Sequence, residues 1–302
     1  MMKILVLGGN GFIGRNIVSA LLKQNEGVTI GSRQDNANGN VRKIRIQTML
    51  QKECWMDVLK DFDLVINAVG ILRERNLQRS RETYEKVHTQ APTALAQACA
   101  ELDVRLIHIS AIGLKSDAQS RFLRSKLNGE QGVLTSGANA VIVRPSLLDG
   151  EGGYGAMWFR RVAQWPIQVA MKTEGLIAPL QVKDLGEAIA NLSVARFETM
   201  PKVIELGGRE VLSIPEYLTK LRMAYQKNAA IQILMPAMVV RIVSHILDVL
   251  AWTPLSFGHF ELMQGYNAPA NNYLPILLGR VPSAVGVSTI SIESQKISTQ
   301  FV

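Results

Sequence analysis

A short run rich in Ile, Leu and Val, Lys3 to Leu7, passes directly into three glycines, Gly8, Gly11 and Gly14. A helical pattern then runs through Phe12, Ile13, Ile17, Val18, Leu21 and Leu22. Strand, glycine turn and helix in that order constrain the chain to open a parallel α/β sheet. A helix N-terminus carries unsatisfied N–H groups and a partial positive charge, so it holds a pyrophosphate well. Gly8 allows the tight turn, Gly11 lets a phosphate approach the backbone, and Gly14 lets helix and strand pack closely. Phe12 and Ile13 lie in the same cradle. The reading is a dinucleotide-binding turn; a purely structural turn is the alternative.

The alternation continues. Val28–Ile30, Val41–Ile46, Asp63–Ala68, Val104–Ser110 and Ala140–Arg144 read as further strands, with helical patterns over Met49–Lys60, Ser80–Leu102 and about Ser120–Leu134. This predicts a Rossmann-type, doubly wound parallel sheet with right-handed crossovers, its ligands at the carboxyl ends of the strands. Beyond residue 150 the rhythm loosens around Gly150, Gly152, Gly153 and Gly155. Asp184 reads as the N-cap of a helix through Phe197, and Ser213 to Glu216 as a capping box. The expected organisation is a nucleotide-binding core over 1–150, to which later segments return, and a smaller C-terminal substrate or partner lobe over 151–302.

The 302 residues are 47% hydrophobic, enough for one large or two modest domains. Cys54 and Cys99 have no metal-ligand spacing and read as buried free thiols in a reducing compartment. With no cleavable signal visible before the first strand, the expectation is a cytoplasmic protein. The charge of +8 has a local concentration at Arg73, Arg75, Arg79 and Arg81, without a nucleic-acid fold motif, so no nucleic-acid partner is expected. An anionic cofactor, an acidic partner or an anionic membrane would each use it, and a solvated loop is the plain alternative. Ile231 to Trp252 is apolar but interrupted by Pro236, Arg241, His245 and Asp248, a poor spanning segment. A helix packed on the core is its default reading; peripheral membrane contact is the other. No metal site is expected.

The second predicted strand ends in Ser32 and Arg33, where enzymes that prefer NAD carry an acid for the ribose 2′-OH. An arginine favours a 2′-phosphate through charge-assisted bonds, and Arg15 could join it, so NADP(H) is expected over NAD(H). The plain alternative for Arg33 is a solvated turn residue.

GGNGFIG, INAVGIL, VHTQAPTALAQAC, LIHISAIG, SRFLRSKLNGE and VIVRPSLLDG follow one another in the order of atypical and extended short-chain dehydrogenase/reductases, which the chain resembles. Within them it is most similar to the group containing the NAD(P)-binding accessory subunit of respiratory complex I. The similarity is strong over residues 1–150, looser through PLQVKDLGEAIA and ELGG, and faint in the last seventy residues.

In active members a Ser binds the substrate oxygen, a Tyr is the general acid or base, and a Lys four residues later lowers the Tyr pKa and holds the nicotinamide ribose. The resemblance places these roles at Ser110, residue 122 and Lys126. Residue 122 is Phe, which has no ionisable proton. The resemblance also implies that Ala68, Val69 and Gly70 pass the adenosine and that Pro145 lies beside the nicotinamide. Packing, a strand stop, a turn cap for Ser110 and a surface charge for Lys126 are the plain alternatives. Tyr154, Tyr84 and His88 are the candidate substitute proton donors. Two functions follow: an NADP(H)-binding accessory, assembly or sensor protein with an incomplete Ser-Tyr-Lys set, or an NADPH-dependent reductase or epimerase-type oxidoreductase with a substitute donor. The partners expected are a dinucleotide and an unidentified small molecule or protein.

Overall fold

The apolar runs of the first half become the centre of one sheet. A computed structural model describes residues 1–33, 41–45, 49–74, 82–236, 238–241 and 257–286. Its strands are β1 (Lys3–Leu7), β2 (Gly27–Ser32), β3 (Arg42–Arg45), β4 (Leu64–Asn67), β5 (Arg105–Ile109), β6 (Ala140–Pro145), β7 (Leu148–Asp149), β8 (Ile167–Lys172), β9 (Leu180–Gln181), β10 (Val203–Leu206) and β11 (Ile231–Pro236). The main sheet has seven strands in the order β10-β6-β5-β4-β1-β2-β3. Every pairing from β6 to β3 is parallel. The order reverses between β1 and β4, the switch point at which such sheets bind ligands.

The chain divides into two compact units. One comprises Met1–Pro145 and Leu185–Glu205, the other Ser146–Asp184 and Leu206–Val302. In the first, helices α1 (Phe12–Lys23), α2 (Glu53–Leu59), α3 (Ala91–Glu101) and α4 (Arg121–Thr135) accompany the sheet, and a π-helical stretch, Glu85–Gln90, runs into α3. Leu5, Val65, Leu106 and Ile142 from the strands pack with Trp55, Leu59, Leu95 and Val133 from the helices. Burying each such side chain contributes about 1.5–3 kcal/mol. Close helix packing is bought with glycine: a Cβ on Gly129 of α4 would lie 1.8 Å from the His88 carbonyl oxygen, and one on Gly132 1.9 Å from Thr93 Oγ1.

The second unit contains α5 (Tyr154–Ala163), the start of α6 (Val182–Ser193), and α7 (Ile214–Ala224). Phe159, Val162, Ile177, Tyr217, Leu218 and Leu221 form its core. The Asp149 carboxylate, fully buried, accepts from Arg160 Nε at 2.8 Å and Gln181 Nε2 at 2.7 Å. Ser213 caps α7 as expected, with Glu216 returning the bond.

Several expectations are corrected. Helix α6 starts at Val182, not after an Asp184 cap, because the Asp184 carboxylate accepts from Arg280 Nη2, Ser283 N–H and Ser283 Oγ at 2.7–3.0 Å. It stops at Ser193, and Phe197 opens a separate short 3-10 turn, buried under the Arg105 guanidinium at 5.1 Å. The second predicted helix is shorter, beginning at Glu53. Ile231 to Pro236 is a strand, β11, paired in parallel with β8, rather than the start of a helix. Residues 237 and 242–252 of that apolar stretch lie outside the described residues, as do Arg75, Arg79 and Arg81 and the start of the helix expected from Ser80. Cys54 is exposed, not buried; Cys99 is buried, and burial pushes its thiol up to about 12.

Candidate functional site

The glycine turn is shaped by contacts that exclude a side chain. Gly8 has φ +74°, and its N–H donates to the Gly31 carbonyl at 3.1 Å. Gly11 N–H donates back to the Gly8 carbonyl at 2.8 Å. A Cβ on Gly14 would sit 2.2 Å from that same carbonyl oxygen. Helix α1 therefore begins pressed against the end of β1. No side chain caps it and no acid stands in its first turn, which leaves its positive end for an anion. Phe12 and Ile13, half-buried, form the first turn, and the Arg15 guanidinium lies 5.7 Å from the Phe12 ring centroid.

Ser32 closes β2, and its hydroxyl accepts from Asn10 Nδ2 at 2.9 Å, tying the turn to the strand end. Arg33 follows with its side chain 61% exposed, in an ion pair with Glu82. Across the switch point, Ala68 N–H donates to Leu7 O at 3.1 Å and Val69 N–H to Asn67 Oδ1 at 3.1 Å. Val69 and Gly70 are exposed, and the Ala68 carbonyl lies against Gly8.

On α4, Ser120 caps the helix through Leu123 N–H at 3.3 Å, which fixes the rotational setting of Phe122 and Lys126. Phe122 is buried. Its ring meets Tyr84 and His88 edge-on, both at 5.5 Å between centroids, while Tyr84 and His88 stack on each other. His88 Nε2 accepts from Ile71 N–H at 3.1 Å, and Nδ1 lies 3.1 Å from Ser125 Oγ. Ser125 Oγ in turn donates to the Phe122 carbonyl at 2.9 Å. With Nε2 and the Ser125 proton both committed, the assigned tautomer is neutral with its proton on Nδ1. Burial, then the Lys126 charge, push the His88 pKa down to about 2.

Lys126 is half-buried, its Nζ 5.9 Å from the Phe122 ring centroid. Burial lowers its pKa, and Glu130, one turn on, works against that. Burial, then the same ammonium, takes His108 on β5 down to about 3, so the Lys126 charge reaches both β5 and the π-helical stretch. His108 Nδ1 faces Asn67 Nδ2 at 3.2 Å. Ser110, directly after β5, is buried; its N–H donates to Val143 O at 2.7 Å, and its hydroxyl has no hydrogen-bond partner among the described residues. Pro145 is the last residue of β6. Before it, Arg144 forks onto the fully buried Glu130 through Nε at 3.0 and 3.1 Å and through Nη2.

The groups fit a dinucleotide. Gly14 lets α1 close against the Gly8 carbonyl, α1 is uncapped, and Ser110 holds a buried hydroxyl with no hydrogen-bond partner among the described residues. Of the substitute proton donors, Tyr84 donates its hydroxyl to Leu72 O at 3.0 Å and Tyr154 stands 59% exposed at the start of α5. His88 is neutral with both nitrogens engaged. Sequence reasoning missed Asn67, His108, Ser125 and Glu130. The alternation of β5 could have flagged His108, two residues before Ser110 and so on the same strand face.

Residues 4–175 match the NAD dependent epimerase/dehydratase family. The chain is 25% identical over 224 residues to NADH dehydrogenase [ubiquinone] 1 alpha subcomplex subunit 9, mitochondrial, of Dictyostelium discoideum, covering 70% of this chain and 61% of that protein. It is 25% identical over 186 residues to ceramide reductase of Caulobacter vibrioides, covering 60% and 57%. It thus spans less than two thirds of either relative. The fold is shared with UDP-glucuronic acid 4-epimerase from Bacillus cereus, solved with UDP-glucuronic acid and NAD, at a TM-score of 0.67, 19% identity, and coverage of 99% and 100%.

Proposed function

Because the chain belongs to the NAD dependent epimerase/dehydratase family, we propose that it binds NADP(H) through the Gly8–Gly14 turn and serves as an accessory, assembly or sensor protein without ordinary turnover. The observation that carries this reading is Phe122. It occupies the position one helical turn before Lys126, buried and packed edge-on against Tyr84 and His88, and a phenyl ring moves no proton. A bound dinucleotide supplies a hydride donor or acceptor. Lys126 would hold its ribose hydroxyls by donation from Nζ, and Ala68, Val69 and Gly70 would line the adenosine. Ser32 and Arg33 would meet the 2′-phosphate, with Arg33 released from Glu82. The relatives named as a subunit of the NADH dehydrogenase [ubiquinone] 1 alpha subcomplex and as a ceramide reductase support an accessory and a redox reading respectively.

Ser110 favours a second reading, an NADPH-dependent reductase or epimerase-type enzyme. Its buried hydroxyl, without a hydrogen-bond partner among the described residues, suits a substrate oxygen, the proton then coming from water or from Tyr84. Titrating the purified protein with NADPH and NADH, then offering the NADPH complex a panel of carbonyls and quinones, separates the two. The first reading expects binding with NADPH preferred and no steady oxidation. Steady oxidation abolished by Ser110→Ala overturns it in favour of the second.

A further inference from the structure

We propose that the outer face of the β8–β11 pair docks on the surface of an anionic phospholipid bilayer. The two strands pair in parallel with Ile167 opposite Ile231 and Val169 opposite Ile233. These four side chains are 52%, 68%, 52% and 49% exposed. They lie on one face by the two-residue period of a strand. The opposite face is anchored: Gln168 is fully buried, donates to the Ala163 carbonyl at 3.0 Å and accepts from Gln232 Nε2 at 3.2 Å. The register is therefore fixed, and the aliphatic face points to solvent by construction rather than by slippage. Trp165, 50% exposed, stands just before β8. Its backbone is held by Arg222 Nη1, which donates to the Trp165 carbonyl at 2.9 Å. An indole at the edge of an aliphatic patch suits the boundary between acyl chains and head groups.

Charge selects the occupant. Over residues 157–174 and 223–241, which hold the two strands and their flanks, the acids are Glu174 alone, while Arg161, Lys172, Lys227 and Arg241 are exposed cations. Arg160, the remaining cation of these stretches, is buried against Asp149. Exposed branched aliphatics, with exposed cations outnumbering acids in the strands and their flanks, match an anionic head-group layer above a hydrocarbon interior. A second copy fits less well, since a two-fold contact through this face would set the cations of both copies against each other. The apolar composition continues past the strand in Met238 and Val239, 75% and 38% exposed. No described helix is long and apolar enough to cross a membrane, so the contact proposed is one of lying on the surface.

The test is co-sedimentation of the full chain with vesicles of phosphatidylglycerol and phosphatidylcholine, and with phosphatidylcholine alone. Binding is expected to the anionic vesicles, weakened by salt and by Lys227→Glu. The double variant Ile167→Ser with Ile233→Ser should lose about tenfold or more in partitioning while retaining the wild-type melting transition. If that double variant fails to fold, Val169→Ser alone should show the same direction of loss. No binding to anionic vesicles, or binding that none of these variants changes, overturns the proposal. A wild-type dimer that the aliphatic variants split into monomers also overturns it and assigns the face to a second copy.

Discussion

The Phe122 ring meets the His88 ring edge-on, 5.5 Å between centroids, while Ser125 joins His88 to the Phe122 backbone carbonyl. One histidine thus fixes both the side chain and the local helix of residue 122, and through Ile71 N–H it fixes the loop after β4 as well. A proton donor is absent at residue 122, yet the surroundings that would position one are rigid.

Phe122→Tyr therefore restores a hydroxyl to a held site. General acid catalysis is typically worth about 10²–10⁴-fold. The variant is expected to gain NADPH-dependent carbonyl reduction well above the wild-type background in steady-state assays. An unchanged background would mean that the missing hydroxyl is not what limits the site.

The buried histidines make stability depend on acid. His88 and His108 titrate at about 2 and about 3 in the fold, against 6.5 ordinarily. The unfolded chain therefore takes up protons that the folded chain refuses. Their contribution is complete above pH 6.5 and falls as pH drops below it, by about 1.4 kcal/mol per pH unit for each histidine. Urea unfolding at a series of pH values between about 7 and 5 reads this slope. His88→Asn should remove about half of the histidine part, and an equal slope in the variant would contradict the neutral assignment.

Gly14→Ala forces a Cβ within 2.2 Å of the Gly8 carbonyl oxygen. Backbone must move, at a cost of about 1–3 kcal/mol, and the cradle opens. The melting temperature should fall, and NADPH should no longer raise it. A variant still stabilised by NADPH to the wild-type extent would remove the turn from the binding site.

The proposed preference for NADP(H) rests on Arg33. Replacing it with Asp removes a charge-assisted bond worth about 1.5–3 kcal/mol, so the ratio of NADH to NADPH dissociation constants should fall by roughly 10- to 100-fold. Glu82→Gln frees Arg33 from its ion pair and should tighten NADPH, measured by the same calorimetric titration. An unchanged ratio in Arg33→Asp would assign that side chain to the solvent.

The sheet was legible because a strand buried on both faces leaves a continuous apolar run, as in β1, β4 and β6, while Thr29 interrupts β2 and His108 interrupts β5 without hiding them. Strand β3, Arg42–Arg45, is partly exposed at the sheet edge, and Val41 and Ile44 mark it less strongly. The glycine turn was legible because backbone geometry demands that residue type. What stayed hidden was set by tertiary partners. Asp184 looks like a cap until Arg280 and Ser283 claim its oxygens. Ile231 to Pro236 lacks the alternation of a half-buried strand, because its edge position exposes Leu234 as well as Ile233. The His88–Ser125–Phe122 chain joins residues 37 apart in sequence, which no local pattern encodes.

The most direct test of the account follows NADPH consumption by the wild-type protein saturated with cofactor, through loss of dihydronicotinamide absorbance, across carbonyl and quinone acceptors. The account predicts stable, bound NADPH and no turnover above the rate in solution. Sustained turnover that Ser110→Ala abolishes would contradict it.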